Sequence, residues 1–333
     1  MQSQVLTVAS SLASRGHRVT VAVGGGGVSP ADGVEFISLP AYSPRTIVSF
    51  VLALRRVARQ HHVDVVHAHG LRLAPTLRLI PAARRFVTCH GIDPENAARA
   101  ARSARLSRVA IISCGQGPQR LLERYGVRSE VIYNAFTPSA VAHSREEMLS
   151  EFDLASDVAL VVLPARYSRQ KAHDRLIEAL RLVREQMGDR SPEVVCFGDG
   201  PLRDATADSA ERLDARPLAR ILEYRADASA WLGATDFFIL PSRWEGQPLV
   251  VLEALSHSLA VVTLTDGIED LIVDGRNGRL VHSVGQLASV IEQWSQTPSS
   301  RLRDDALNEQ ILNEHSLAVV TNQYEALYER TQH

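Results

Sequence analysis

Two acids, Glu245 and Glu253, stand eight positions apart in the stretch LPSRWEGQPLVVLEAL, Leu240 to Leu255. One carboxylate falls in a polar loop behind an apolar strand. The other falls about two turns into an apolar helix that Pro248 opens. Pro248 is preset for the first helical position, and Gly246 lets the backbone come close to a ligand. The free amides at such a helix start suit an anion, phosphate above all. Arg166 and Lys171, five positions apart after another apolar strand, suit a diphosphate. They would neutralise its charge as a leaving group departs. Glu253 suits the two hydroxyls of a ribose, and Glu245 the hydroxyl of a sugar. Three histidines, His67, His69 and His90, follow strands of the first half. The plain alternatives stay open on these residues alone. Glu253 also suits a half-buried acid paired with an arginine, Arg166 and Lys171 two solvated surface cations, and His90 a cap for the next helix. The histidines lack the carboxylate or thiol spacing of a zinc site.

The elements that position these groups alternate between strand and helix. In the first half, strands are expected at His17 to Val23, Val34 to Leu39, Val63 to Ala68, Phe86 to Cys89, Val109 to Ser113 and Glu130 to Tyr133. Helices are expected from residue 1 to Gly16, at Arg45 to Gln60 and at Gln119 to Tyr125. The run Gly24 to Gly27 lacks the G-x-G-x-x-G order, and Val28-Ser29-Pro30 opens no helix, so it is not a dinucleotide fingerprint. The segment Asn134 to Ser150 brings a turn, a proline and charge, and marks a domain boundary. The second half repeats the pattern: strands at Val158 to Leu163, Glu193 to Phe197, Phe237 to Leu240, Ala260 to Leu264 and Gly278 to Val281, with a long helix at His173 to Gln186. Such alternation predicts parallel sheets covered on both faces. Ligands of such sheets bind beyond the carboxyl ends of the strands. There stand Arg166, Lys171, Gly198 to Pro201, Ser242, Glu245 and Asp266-Gly267. Two such rims predict a cleft between domains.

Composition narrows the class. The chain has 333 residues, 45% hydrophobic and 22% charged, which suits two globular domains. A net charge of -2 gives no general pull toward nucleic acid. Cys89, Cys114 and Cys196 sit in or beside strand-like runs and read as reduced core thiols of a cytoplasmic protein. No apolar run is long enough to span a membrane. Arg72, Arg78, Arg84 and Arg85 offer a peripheral contact with the inner face of a membrane, or a solvated face.

Four segments of the second half carry a resemblance: PARYSRQKAHDRLIEAL (Pro164 to Leu180), FGDGPLR (Phe197 to Arg203), ATDFFILPSRWEGQPLVVLEAL (Ala234 to Leu255) and DGIEDLIVDGRNGRLV (Asp266 to Val281). DVVHAHG, TCHGID and VIYNAF in the first half add weaker matches. Together they resemble the family-4 glycosyltransferases, with Glu245 and Glu253 matching that family's E-x7-E pattern. The resemblance implies an α/β protein of the GT-B fold, two Rossmann-like domains with parallel sheets facing across a cleft. An acceptor-side domain would span 1–140, a donor-binding domain 141–315, and a C-terminal helix within 316–333 would pack back on the first domain. It implies retaining, metal-independent hexosyl transfer from a nucleotide-diphosphate sugar, without a cofactor, to a saccharide or lipid-linked acceptor in cell-envelope polysaccharide or glycoconjugate synthesis. By position, Glu245, His90, Arg166 and Lys171 would be catalytic, His90 on the acceptor side. Arg166, Lys171, Gly198, Gly200, Pro201, Glu245, Gly246, Gln247, Pro248, Leu249 and Glu253 would bind the donor.

The chain departs from the family pattern at several points. Its first helix comes without the strand and glycine-rich loop that usually precede it. Ala165, Ala172, Ser258 and Ala135 stand where glycine is usual, Ala260 where proline is, and Asp270 where Glu is common. Two other readings stay compatible with these residues. One is an inactive, truncated nucleotide-binding relative. The other is different GT-B chemistry, such as a sugar-nucleotide epimerase, or a phosphorylase with pyridoxal on Lys171.

Overall fold

The computed structural model describes residues 2–25, 32–139, 141–212 and 219–330. Val28-Ser29-Pro30 and two of the four glycines of the run, Gly26 and Gly27, therefore lie outside the described residues. In chain order the elements are α1 (Gln2–Ser14), β1 (Val19–Gly24), β2 (Val34–Leu39), α2 (Ile47–Gln60), β3 (Val65–His69), α3 (Ala74–Leu77), β4 (Arg84–Cys89), α4 (Ala97–Ser107), β5 (Ala110–Ser113), α5 (Gln116–Glu123) and β6 (Glu130–Val131). Then come α6 (Arg145–Phe152), β7 (Leu160–Pro164), α7 (His173–Met187), β8 (Glu193–Phe197), α8 (Arg203–Arg212), β9 (Ala219–Leu222), β10 (Phe238–Leu240), α9 (Leu249–Ser256), β11 (Val261–Thr263), β12 (Gly278–Leu280), α10 (Val284–Gln296), α11 (Asp305–Glu314) and α12 (Leu317–Glu329). The chain forms two compact units. The first is Met1–Phe136 with Glu314–His333, and the second is Thr137–Asn313.

In the second unit every strand pair is parallel. One ladder runs β7-β8-β9 and another β10-β11-β12. Asp236 joins them: its N–H donates to the Leu160 carbonyl at 2.8 Å, and its carboxylate accepts from the Leu160 N–H at 2.8 Å. The order is therefore β9-β8-β7-β10-β11-β12. The chain starts in the middle, winds outward, returns, and winds out the other way. β8, β10 and β11 are buried at every residue, which is why they read as unbroken apolar runs. α7 covers them with Leu176, Ile177, Leu180, Val183 and Met187, one helical face.

The first unit holds a two-stranded parallel ladder, β1-β2, and a four-stranded one, β3-β4-β5-β6. α12 belongs to this unit. Its Val320, Tyr324 and Leu327 pack with Phe86, Ile112 and Ile132. α4, not foreseen from the sequence, is held by a stripe of small residues, Ala97, Ala101 and Ala104, all buried. Its pattern is weak because alanine lends little contrast between faces. The charge after the expected boundary turns out to be a helix, α6. Ser144 accepts from the Glu147 N–H at 3.2 Å, and Glu147 accepts from the Ser144 N–H at 2.7 Å, a capping box. The three cysteines are free and buried. Among the described residues no helix is long and apolar enough to cross a membrane.

Candidate active site

In a sheet of this order, neighbouring strands β7 and β10 send their connections to opposite sides. The loops after their carboxyl ends leave an opening at that reversal. Both loops carry residues singled out above. The loop after β7 runs through Arg166 to Lys171, and the loop after β10 through Ser242 and Glu245.

The β7 loop is fixed from behind by the segment after β8. Ala165 N–H donates to the Phe197 carbonyl at 2.9 Å, Tyr167 N–H to Asp199 at 2.9 Å, and Leu202 N–H to Tyr167 at 3.2 Å. This approach is why glycine stands at two positions. A Cβ on Gly198 would lie 2.2 Å from the Ala165 carbonyl oxygen. One on Gly200, at φ +145, would lie 2.3 Å from that of Tyr167. Tyr167 is fully buried, its hydroxyl 2.8 Å from the Cys196 carbonyl, and burial raises its pKa. Arg166, between two residues so anchored, is exposed. Its guanidinium has no hydrogen-bond or ion-pair partner among the described residues. Pro201 is exposed on the same segment.

The two loops are also laced together. Arg243 N–H donates to the Gln170 carbonyl at 2.8 Å, and the Arg243 guanidinium grips both oxygens of Asp174 at 2.9 and 2.5 Å. Gln170 Nε2 donates to the Trp244 carbonyl at 3.0 Å. These bonds bring Lys171 onto Glu245, Nζ to Oε1 at 2.6 Å. Ser242 Oγ donates to the same oxygen at 2.6 Å, and Gln170 Nε2 reaches the other at 3.3 Å. The acid expected on a sugar and the cation expected on a diphosphate are thus one another's partners. The Glu245 side chain is 5% exposed and that of Lys171 21%.

Two readings of the following helix are corrected. Pro248 is the N-cap, with an extended ψ of 105, and Leu249 is the first helical residue. A proline N-cap still leaves the first helical amides open, since it lacks only its own N–H. Glu253 is consequently the fifth residue of α9, just over one turn in rather than two. Gly246, Gln247 and Pro248 are buried, while Leu249 is partly exposed. The partner of Glu253 is a hydroxyl rather than an arginine: Ser229 Oγ donates to it at 2.8 Å. Burial raises the Glu253 pKa, with the Ser229 bond opposing. No pattern in the sequence marked Ser229, Gln170 or the Arg243–Asp174 clamp.

The Lys171–Glu245 cluster belongs to the second unit, whereas His90 belongs to the first. Its Nε2 is 2.9 Å from His69 Nδ1, and Asn134 adds a side-chain hydrogen bond. His67 bonds the Tyr328 hydroxyl at 2.5 Å and Thr88 Oγ1 at 2.7 Å. Burial lowers the His67 pKa to about 3 and the His90 pKa to about 4, so both rings are neutral at pH 7. His90 caps no helix. The following short turn is capped by Asp93, which accepts from the Glu95 N–H at 3.1 Å. Of the four arginines read as a membrane contact, Arg78 donates to the Leu106 carbonyl at 3.1 Å and Arg85 to that of Ile80 at 2.9 Å. Among the described residues, no group of three or more His, Cys, Asp or Glu has the placement to hold a metal ion.

The strand order and its switch point define a doubly wound α/β class of protein. Comparison with known families makes this specific. Residues 1–139 match the model of "Glycosyltransferase Family 4", and residues 158–297 that of "Glycosyl transferases group 1". The chain belongs to the family-4 glycosyltransferases, of the GT-B fold. It is 24% identical over 316 residues to D-inositol 3-phosphate glycosyltransferase 2 of Catenulispora acidiphila, covering 83% of this chain and 72% of that one. It is 28% identical over 182 residues to the lipopolysaccharide core biosynthesis glycosyltransferase LpsE of Rhizobium meliloti, covering 53% and 51%. Matched stretches span from 30% to 72% of the length of the first curated relatives. Among solved structures, Anabaena HepE with UDP-glucose superposes with a TM-score of 0.78, at 19% identity over 99% of this chain and 96% of that one.

Proposed function

We propose that this protein transfers a hexosyl group from a nucleotide-diphosphate sugar to a saccharide or lipid-linked acceptor, with retention at the anomeric carbon and without a metal ion. The observation that carries the reading is the cluster at the β7/β10 reversal, where an exposed Arg166 and the bonded Lys171–Glu245 pair meet. Arg166 and Lys171 hold the diphosphate and offset its growing negative charge as the bond to the sugar breaks. Lys171 has three N–H donors and spends one on Glu245, so two stay available to phosphate oxygens. Glu245, fixed by Lys171, Ser242 and Gln170, is preorganised to accept from a sugar hydroxyl. Glu253 accepts from the ribose; burial raises its pKa, and hydrogen bonds from ribose hydroxyls would oppose that rise as the Ser229 bond does. The amides from Gly246 to Leu249, Pro248 excepted, face the phosphate and sugar. His90, neutral at working pH, belongs to the acceptor side. The cell-envelope role is supported by the family relatives, LpsE among them.

The deciding experiment is a panel of UDP-, GDP- and ADP-sugars with envelope-type acceptors, run with and without EDTA. The anomeric configuration of the product is read by NMR. Turnover unchanged by EDTA and an α product from an α donor support the reading. A β product from an α donor, or turnover abolished by EDTA and restored by a divalent ion, refutes retention or metal independence respectively. Glu253→Gln is expected to weaken donor binding more than turnover, and Arg166→Ala to reduce turnover.

A further inference from the structure

α2 has apolar side chains on two sides. The inner side seats Phe50, Val51 and Ala58 in the core of the first unit, with Ile47, Leu54 and Val57 packed against them. The outer side starts with Val48 and Leu52, one turn apart and 69% and 61% exposed. Arg55, Arg56 and Arg59 carry the same side on through the next two turns. Arg56 and Arg59 are exposed, Arg55 partly so, and Arg45 is exposed just ahead of the helix. α2 contains no acid. Among the described residues, none of these four guanidinium groups has a hydrogen-bond or ion-pair partner. A single exposed leucine is ordinary on any surface. Two aliphatic side chains in one row with unpaired arginines form a basic amphipathic face that nothing in the unit covers.

The charge extends beyond α2. The first unit, Met1–Phe136 with Glu314–His333, holds 18 arginines, no lysine and 10 acids, a formal net charge of +8. The second unit holds 18 basic residues and 28 acids, a net charge of -10. The near-neutral total of -2 therefore conceals a strongly basic unit. That sign selects an anionic occupant for the face. A small anion or a nucleic acid would engage the arginines and leave Val48 and Leu52 in water. A bilayer containing anionic lipids uses both. Its headgroups take the guanidinium groups, and its acyl boundary takes the aliphatic side chains between them. The arginine stems are long enough to keep their charge at the headgroups while the helix lies against the boundary.

We propose that the outer face of α2 docks the first unit on an anionic lipid bilayer, with Val48 and Leu52 at the acyl boundary and Arg45, Arg55, Arg56 and Arg59 on the headgroups. The contact is peripheral, because the other side of this 14-residue helix stays in the core. It is a different face from that of Arg78 and Arg85, whose side chains are spent on the Leu106 and Ile80 carbonyls. A first unit docked in this way suits an acceptor of the lipid-linked class, presented from the same surface. That consequence rests on the transferase reading, whereas the docking itself does not.

The test is co-sedimentation of the 333-residue chain with phosphatidylcholine vesicles, with and without phosphatidylglycerol, at rising salt. Partition onto the anionic vesicles alone is expected, weakening as salt rises. Each arginine at such a surface is worth roughly a five-fold change in partition, so Arg55→Gln/Arg56→Gln/Arg59→Gln is expected to lose roughly 100-fold. Val48→Ser/Leu52→Ser is expected to lose roughly 10-fold with the charge intact. Arg99→Gln/Arg102→Gln/Arg105→Gln removes the same charge from α4, beside Leu106, which is 62% exposed, and is expected to bind nearly as the parent does. All these side chains leave the core untouched, so thermal melts are expected to match the parent. No partition of the parent onto anionic vesicles overturns the proposal. Equal loss from the two arginine variants overturns it, since net charge rather than this face would then bind. Full binding by the Val48→Ser/Leu52→Ser variant overturns it as well, leaving only headgroup adhesion. So does a dimer formed without vesicles and lost in that variant, because a second copy would then cover the face. No sugar nucleotide is present, so vesicle binding and the transferase reading fail separately.

Discussion

Breaking the Lys171–Glu245 pair is the sharpest perturbation the second unit offers. Removing one partner of a buried pair costs about 3–5 kcal/mol, because the other charge stays buried. Two features of this pair reduce that figure. The Glu245 side chain is 5% exposed but keeps the Ser242 hydroxyl at 2.6 Å and the Gln170 amide at 3.3 Å when the lysine is gone. Lys171 is 21% exposed, so its ammonium regains some water when the acid is neutralised. Lys171→Met, which keeps most of the apolar stem, is therefore expected to destabilise by about 2–3 kcal/mol, and Glu245→Gln by about 1 kcal/mol. The double variant buries no charge at this point and is expected to lose no more than Lys171→Met alone. That outcome is a coupling energy of at least about 1 kcal/mol.

Urea unfolding at pH 7 and 25 °C measures it, and the chain supplies its own probe. All three tryptophans, Trp231, Trp244 and Trp294, lie in the second unit, so their fluorescence reports that unit. Trp244 adjoins Glu245. Singles that add to the double within about 0.3 kcal/mol would refute the pairing, and with it the preorganised carboxylate on which the sugar contact depends.

Three further outcomes follow from the same geometry. The Glu253 pKa is raised in the folded state above its ordinary 4.5, so its ionisation costs stability as pH climbs past that value. Glu253→Gln should therefore be more stable than the parent at pH 7 and equal to it at pH 3 in thermal melts, while binding the nucleotide less tightly. Ser258 holds φ +55 just after α9, with its own N–H on the Leu255 carbonyl at 2.9 Å and the Leu259 N–H on Ala254 at 3.1 Å, the helix-ending position that favours glycine. Ser258→Gly should gain about 0.5 kcal/mol, the left-handed penalty less the extra freedom of the unfolded glycine, whereas Ser258→Val should lose about 1–2 kcal/mol in urea titrations. Gly198→Ala puts a methyl 2.2 Å from the Ala165 carbonyl and should cost about 3 kcal/mol while displacing Arg166, seen as a drop in UDP affinity among molecules that remain folded.

What could be read from the sequence was mostly local. β2 and β8 fall where the apolar pattern placed them, and α12 where the resemblance put a C-terminal helix. The glycines of the segment after β8 were singled out without the carbonyls that require them. The family and fold resemblance stands, because its motifs sit in single loops. The unread part is long-range. Lys171 and Glu245 are 74 positions apart, and nothing at either end announces a bond. They meet because Arg243 reaches Asp174 and Gln170 reaches Trp244, contacts made by residues of no distinctive type. Ser229 was invisible for the same reason, a lone serine in a short, mostly apolar 3-10 helix, Ala228–Ala234. α4 escaped because alanine marks a buried face only weakly. The usual glycine at 172 is an alanine held at φ +52, so the backbone kept its shape where the residue changed.

The proposed donor and acceptor groups fall in different compact units, and that fixes which of their properties are separable. In the second unit the central strand, β7, is present and the reversal beside it is walled on both sides. Its loops are bonded to each other before any ligand arrives. Nucleotide affinity should therefore reside in that unit and follow its stability. In the first unit His67 is held by Tyr328 and Thr88, and His90 by His69 and Asn134. His90→Ala is therefore expected to reduce transfer while leaving UDP affinity unchanged.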